Sequence, residues 1–244
     1  MNVLSIGNSF SEDAQRYLHQ IAKVDNYILN AFNLFISGCS ISLHYRNMLS
    51  EKKAYELQIN GESTGFCVSL KEALLNRDWD VVTIQQASLK SAKYETYQPY
   101  LNVLVDYIRN FVPKAKVAIH QTWAYEQGSA MLNKNLGYKE HTEMFYDVKN
   151  AYQKALEDTK ADLIIPSGEV FQKLIANGIE KVHRDTFHAS YGLGRYTLAL
   201  LWYRILTGKD IQYNSFNDFD EEISKREIDI AKQSVTEVCE IYGR

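Results

Sequence analysis

The stretch Asn2-Val3-Leu4-Ser5-Ile6-Gly7-Asn8-Ser9-Phe10-Ser11 compresses a strand, a turn and the start of a helix into ten residues. Residues 3–6 are apolar apart from Ser5 and read as a buried strand. The run stops at Gly7-Asn8, two residues that tolerate the backbone of a sharp turn. Ser11-Glu12-Asp13-Ala14 then leads into Tyr17, Leu18, Ile21 and Ala22 at helical spacing. Ser11 is the expected N-cap, and Glu12 and Asp13 suit the positive end of the helix dipole. Ser9 therefore falls between the C-terminal end of a strand and the N-terminus of a helix. In open α/β sheets that edge collects ligands, and the N–H groups of a helix start favour developing negative charge.

Working outward, the same alternation repeats along the chain. A second strand is predicted over 28–35, ending at Ser37-Gly38-Cys39-Ser40, and a loop or short helix over 42–51. Residues 55–59 and 65–68 flank Asn60-Gly61 as a hairpin, read as an excursion from the main sheet. Ser69 caps a helix over 70–76. The β-branched run over 80–86 is a strand ending in Gln85-Gln86, and 97–111 is a helix closed by Pro113. A strand over 116–120 ends in His120-Gln121, and a long loop over 124–138 crosses the sheet edge. A helix over 141–157, a fifth strand over 161–165, a helix from Pro166 to Gly178, a helix over 191–206 and a last helix from near Asp220 complete the chain. This pattern predicts one doubly wound α/β domain over 1–244, with a mostly parallel five-stranded sheet covered on both faces. No Pro/Gly/Ser-rich linker and no internal repeat interrupts it.

Composition excludes several function classes. The formal charge is −3 with no block of like charge, so neither nucleic acid nor a membrane surface has an electrostatic footprint here. No apolar run reaches the length of a membrane span. Three cysteines, Cys39, Cys67 and Cys239, have no ligand-like spacing, so no metal site is expected. The first residues enter the strand directly, which is the reading of a cytoplasmic protein or of an exported one whose leader has been removed. A chain of 244 residues buries roughly 70–75% of its unfolded surface and needs no covalent staples.

Parallel strands put Ser9, Gly38, Gln85-Gln86 and His120-Gln121 on one edge of the sheet. A serine nucleophile needs a base, and the base needs a partner to fix its tautomer. Asp185-Thr186-Phe187-His188 supplies both, because an Asp three residues before a His can set its carboxylate against Nδ1 and leave Nε2 for the serine.

At this point the sequence resembles the SGNH (GDSL-like) hydrolases. Gly7-Asn8-Ser9-Phe10-Ser11 resembles their first block, Gly38 their oxyanion-hole glycine, and Asp185-x-x-His188 their last block. Thr122-Trp123-Ala124-Tyr125 and 188–196 add to the likeness, which spans nearly the whole chain and points to a poorly characterised bacterial branch. The resemblance implies a flavodoxin-like three-layer α/β/α sandwich. It also implies a serine esterase without cofactor, acting on a small-molecule or glycan ester through an acyl-Ser9 intermediate. Many relatives remove acetyl groups from carbohydrates, which makes a carbohydrate O-acetylesterase the leading substrate class.

One block departs from the family. Where a Gly-x-Asn-Asp block supplies an asparagine amide to the oxyanion hole, this chain has Gln85-Gln86-Ala87-Ser88. A glutamine amide can donate the same bond, and Gln86, just past the strand, is preferred over Gln85. His120 and Gln121 are pocket candidates on the same edge, Trp123 and Tyr125 a candidate sugar-stacking wall, and His183 an exposed neighbour. Two rival readings use the same residues: a non-catalytic carbohydrate-binding protein, and a metal-dependent phosphoesterase built on Asp185, His188 and His183.

Overall fold

A computed structural model of the chain describes residues 1–243. The first strand, β1 (Asn2–Gly7), lies in the middle of a sheet, and Val3, Leu4, Ser5 and Ile6 are all fully buried. Ser5 is tolerated there because its Oγ is bonded to Thr83 Oγ1 at 2.8 Å and accepts Gln15 Nε2 at 2.6 Å. On one side β1 pairs in parallel with β2 (Asn30–Phe35), and on the other with β5 (Val81–Ile84). β6 (Lys116–Gln121) and β7 (Leu163–Pro166) continue the parallel sheet. The parallel strands thus run β2-β1-β5-β6-β7, the order of a flavodoxin-like doubly wound sheet.

The sheet has seven strands rather than five. The hairpin is not an excursion: β3 (Tyr55–Ile59) pairs antiparallel with β2, and β4 (Glu62–Val68) closes the edge. Without it, the buried strand β2 would present unpaired backbone groups to solvent. β4 takes that position with mostly exposed residues, as suits an edge strand.

Helices cover both faces. On one lie α1 (Ser9–Gln15), α2 (Leu18–Val24), α7 (Ser167–Ala176), α8 (Leu193–Thr207) and α9 (Lys225–Ile241). On the other lie α3 (Ile41–Ser50), α4 (Leu70–Leu75), α5 (Tyr100–Phe111) and α6 (His141–Thr159). Of the two alternatives expected over 42–51, a loop or a short helix, the helix is what forms, and the long loop over 124–138 carries one π-helical turn, Met131–Asn135. The last helix begins at Lys225, later than expected, after an irregular link that packs Phe216 and Phe219 against Tyr17 and Tyr196. No helix of the described residues is long and apolar enough to cross a membrane.

Strand register aligns the C-terminal ends on one edge. Gly7 sits beside Phe35, Ile84 beside Ile119, and Gln121 beside Pro166. The helix after β1 starts at Ser9, earlier than the sequence suggests, because Asn8 and not Ser11 is the N-cap. Asn8 Oδ1 accepts from Phe10 N, and Ser11 Oγ reaches back to the Asn8 N–H. Gly7 makes this turn possible. A Cβ there would lie 2.0 Å from Ser11 Oγ, so no larger residue lets the first helical turn fold back on the strand end.

Candidate active site

Ser9 occupies the first position of α1, beside the C-terminal end of β1. Its Oγ donates to His188 Nε2 at 2.8 Å, and His188 Nδ1 donates to Asp185 Oδ2 at 2.7 Å. Asp185 also accepts the His188 backbone N–H at 2.9 Å through its other oxygen. Burial pushes the Asp185 carboxyl up, but the hydrogen bonds from His188 outweigh it and hold the group below the ordinary carboxylate range. Asp185 is therefore ionised at neutral pH. It fixes the tautomer that leaves Nε2 as acceptor for Ser9. The chain reverses sharply between the two residues. Thr186 has φ of +81°, a costly conformation for a β-branched side chain, and its carbonyl is tied to the Glu126 N–H at 2.8 Å.

The residues around this arrangement line a pocket of about 230 Å³. Ser9, Gly38, Ser88 and His188 face it together with apolar groups from Phe10, Leu89, Met131 and Phe187. Among the described residues, no acidic side chain lines it. Gly38 takes φ of +60° in the turn after β2. The Ser9 and Gly38 N–H groups have no hydrogen-bond partner among the described residues and flank the same space. They can hold an anionic oxygen.

A family described as a domain of unknown function, DUF4886, matches residues 2–238. The chain belongs to the DUF4886 family. The crystal structure of a DUF4886 protein from Bacteroides uniformis is similar over 98% of this chain and 94% of that one, with 30% identity and a TM-score of 0.90. A protein from Slackia heliotrinireducens, provisionally assigned to the SGNH hydrolases, matches with a TM-score of 0.62 and 23% identity, over 84% of this chain and 97% of its own. A variant of an acetyl xylan esterase from Geobacillus stearothermophilus matches with a TM-score of 0.54 and 14% identity, over 84% and 94%. This DUF4886 chain therefore has the SGNH hydrolase fold. No curated protein matches it.

The DUF4886 chain departs from the sequence reading at the end of β5. Gln86 does not face the pocket. Its Oε1 accepts from Ile41 N and Ala87 N, both at 2.9 Å, and its Nε2 donates to Thr96 O and Oγ1, both at 3.2 Å. All the bonding capacity of a buried amide is used, so none is left for an oxyanion. The Ile41 N–H at the start of α3 and the Ala87 N–H after β5 need a buried acceptor, and Gln86 supplies it. Gln85 is committed as well. Its Nε2 donates to Asn8 Oδ1 at 2.8 Å, and its Oε1 is bonded to His120 Nδ1.

His120 is fully buried and does not line the pocket; its Nε2 is bonded to Ser167 Oγ at 3.1 Å. Burial lowers its pKa to about 3, so it is neutral and links the end of β7 to the Asn8 cap through Gln85. Gln121 is likewise buried away from the pocket. Trp123 is fully buried and cannot stack on a sugar. Instead its ring lies 4.2 Å from Phe10, and its Nε1 donates to Phe187 O at 2.7 Å, joining the Ser9 turn to the His188 loop. Tyr125 does line the pocket, and its hydroxyl donates to Ser88 Oγ at 2.8 Å. His183 is buried, not exposed, with Nε2 on the Ala124 carbonyl at 3.0 Å. No group of three or more His, Cys, Asp or Glu among the described residues is placed to hold a metal ion.

The sequence reading missed Asp13, Arg184 and Arg195. Asp13 is fully buried and accepts from both guanidinium groups at 2.9 Å and from the Ala189 N–H at 3.1 Å. It thereby clamps both flanks of the Asp185–His188 turn to the helix that carries Ser9. The signal was present, since Asp13 follows Ser9 by four residues and shares its face of α1. Tyr191 stacks under both guanidiniums, each 4.7 Å from its ring centre.

Proposed function

We propose that this protein is a serine esterase that hydrolyses small acyl esters, acetyl esters of carbohydrates foremost. One observation carries the reading: the continuous Ser9–His188–Asp185 hydrogen-bond chain, which opens on a pocket with two free backbone donors. Ser9 Oγ attacks the ester carbonyl as its proton passes to His188 Nε2. The Ser9 and Gly38 N–H groups stabilise the oxyanion. Collapse breaks the ester C–O bond, and the alcohol leaves with the proton from His188. Water then attacks acyl-Ser9, giving a proton to His188, and collapse returns that proton to Ser9 as the acid departs. Asp185 stays ionised throughout and stabilises the imidazolium.

The size of the pocket supports a small acyl group. About 230 Å³ corresponds to roughly eight water volumes at about 30 Å³ each. That accommodates a short acyl group and part of an alcohol, not an extended lipid chain. The apolar side chains suit the acyl group. Support for a carbohydrate alcohol comes from the fold, which an acetyl xylan esterase also uses.

The test is hydrolysis of 4-nitrophenyl esters from acetate to octanoate, and of acetylated xylan. The expected result is turnover highest on acetate to butyrate, acetate release from the polysaccharide, and loss of both in Ser9→Ala. Absence of hydrolysis by the wild type, or undiminished hydrolysis by Ser9→Ala, contradicts the proposal.

A further inference from the structure

With both glutamines committed, the candidate site keeps two backbone donors, and neither glutamine replaces the missing asparagine amide. The side chains lining the pocket leave few choices. Asn8 is buried and its amide is pinned from three sides, with Nδ2 on Cys39 O at 3.1 Å and Oδ1 on Phe10 N and Gln85 Nε2; one Nδ2 hydrogen is left over, but the amide is fixed as the helix cap. Tyr125 spends its proton on Ser88. Ser37 is exposed at the rim. Ser88 remains. It follows Ala87, whose N–H is held by Gln86 Oε1, and it starts the 3₁₀ turn Ser88–Lys90. Its carbonyl is fixed by Ser91 Oγ at 2.8 Å.

Accepting from Tyr125 leaves the Ser88 hydroxyl with its own proton to donate. Tyr125 is a dependable donor. It is almost fully buried, and burial pushes its hydroxyl up to about 12, so it keeps its proton at any working pH. A hydroxyl that accepts from a tyrosine is polarised toward giving up its own hydrogen, as in any cooperative chain. Gln86 holds the whole arrangement. The same Oε1 binds Ile41 N, three residues after Gly38, and Ala87 N, one residue before Ser88.

We infer that Ser88 is the third oxyanion donor of this enzyme, oriented by Tyr125 in a Tyr125–Ser88 relay that takes the place of the asparagine amide. Tyr125 and Gln86 are positioning residues: they act through Ser88 and do not touch the oxyanion. This inference rests on the proposed esterase activity.

The experiment measures kcat and KM for 4-nitrophenyl acetate in the wild type, Ser88→Ala, Ser88→Thr, Tyr125→Phe and the Ser88→Ala/Tyr125→Phe double variant. Melting temperature and the inhibition constant of methylboronic acid, which forms a tetrahedral adduct with a serine, are measured alongside. Loss of one oxyanion donor costs about 10²–10³ in kcat in well-measured cases. Ser88→Ala is expected to lose on the order of 10² in kcat with KM within about threefold, and to weaken the boronate by a similar factor. Ser88→Thr keeps the hydroxyl and recovers most of the rate. Tyr125→Phe loses roughly tenfold in the wild-type background and nothing further in Ser88→Ala, because it acts only through Ser88. A melting temperature unchanged in Ser88→Ala separates the donor from a structural role. If the wild type hydrolyses the ester and Ser88→Ala keeps kcat within twofold, the relay is wrong while the esterase reading stands. If Tyr125→Phe costs as much in Ser88→Ala as in the wild type, the coupling is wrong. If the wild type does not hydrolyse esters, the activity itself fails and the relay with it.

Discussion

The two walls of the Ser9 pocket are held by different chemistry. The His188 wall is fastened by charge: buried Asp13 faces Arg184 and Arg195, and Arg195 continues to Asp220 and Arg16. The Gly38–Ser88 wall is fastened by neutral groups: the Gln85 and Gln86 amides, the Thr96, Tyr125 and Tyr152 hydroxyls, and neutral His120. In the proposed esterase the difference follows the charge each wall would meet. The histidine wall must hold a base that becomes positive, and an ionised carboxylate beside it helps. The opposite wall must hold a developing anion, and any carboxylate there would raise the barrier. Amides and hydroxyls give that wall rigidity without negative charge.

The comparison is broken most easily at the reacting groups. Ser9→Ala and His188→Ala are each expected to lower kcat on a 4-nitrophenyl ester by about 10⁵–10⁶, and the double variant by no more, because the two act as a unit. Asp185→Asn, half-exposed and removing the tautomer lock, is expected to lose about 10³–10⁴. Steady-state rates on all four proteins check this ranking.

Next in size is the charged fastening. Asp13→Asn leaves two guanidiniums without their buried partner and costs about 3 kcal/mol, a melting temperature lower by roughly 6–12 °C. Activity falls with it, since the His188 turn is released from α1. A variant with wild-type melting behaviour would show that the charge network is not what holds this wall.

The neutral wall gives the smallest effect. Gln86→Ala removes an acceptor from Ile41 N and Ala87 N and is expected to cost about 1–3 kcal/mol. Its kcat falls by less than about tenfold, well short of what a lost oxyanion donor costs. Gln86→Glu keeps both acceptor bonds but turns a buried carboxylate oxygen on the Thr96 carbonyl, and is expected to be at least as damaging to stability as Gln86→Ala. If Gln86→Ala instead loses 10² or more in kcat with unchanged stability, Gln86 is a donor after all and the two walls are not built as described.

The residues most legible in sequence were those whose geometry is local. Asp185 and His188 lie three apart, so their mutual bond needs only the turn between them. Gly7-Asn8-Ser9 carries its own strand-turn-helix instruction, and the alternation of strands and helices located the five parallel strands, whose order the structure gives. The hairpin was recognised but misplaced, because pairing with β2 is a long-range contact that its own residues do not encode. Gln86 was misread for a related reason. Spacing puts it at the right strand end, but its direction is set by the Ile41 and Ala87 N–H groups and by Thr96, the first of them 45 residues away. Trp123 and His120 were visible as polar-edged residues at the strand end, and burial turned both into internal ties. Asp13 looked like a helix-dipole residue, because its arginine partners lie more than 170 residues away.

The central claim is that Ser9 is the nucleophile, and adduct mapping tests it most directly. The protein is treated with an ethyl fluorophosphonate, its intact mass is measured, and the modified peptide is sequenced by mass spectrometry. The account predicts one phosphonyl group per chain, carried on Ser9, formed far more slowly in His188→Ala and absent in Ser9→Ala. A protein that hydrolyses esters yet takes no adduct, or carries it on any residue other than Ser9, contradicts the account.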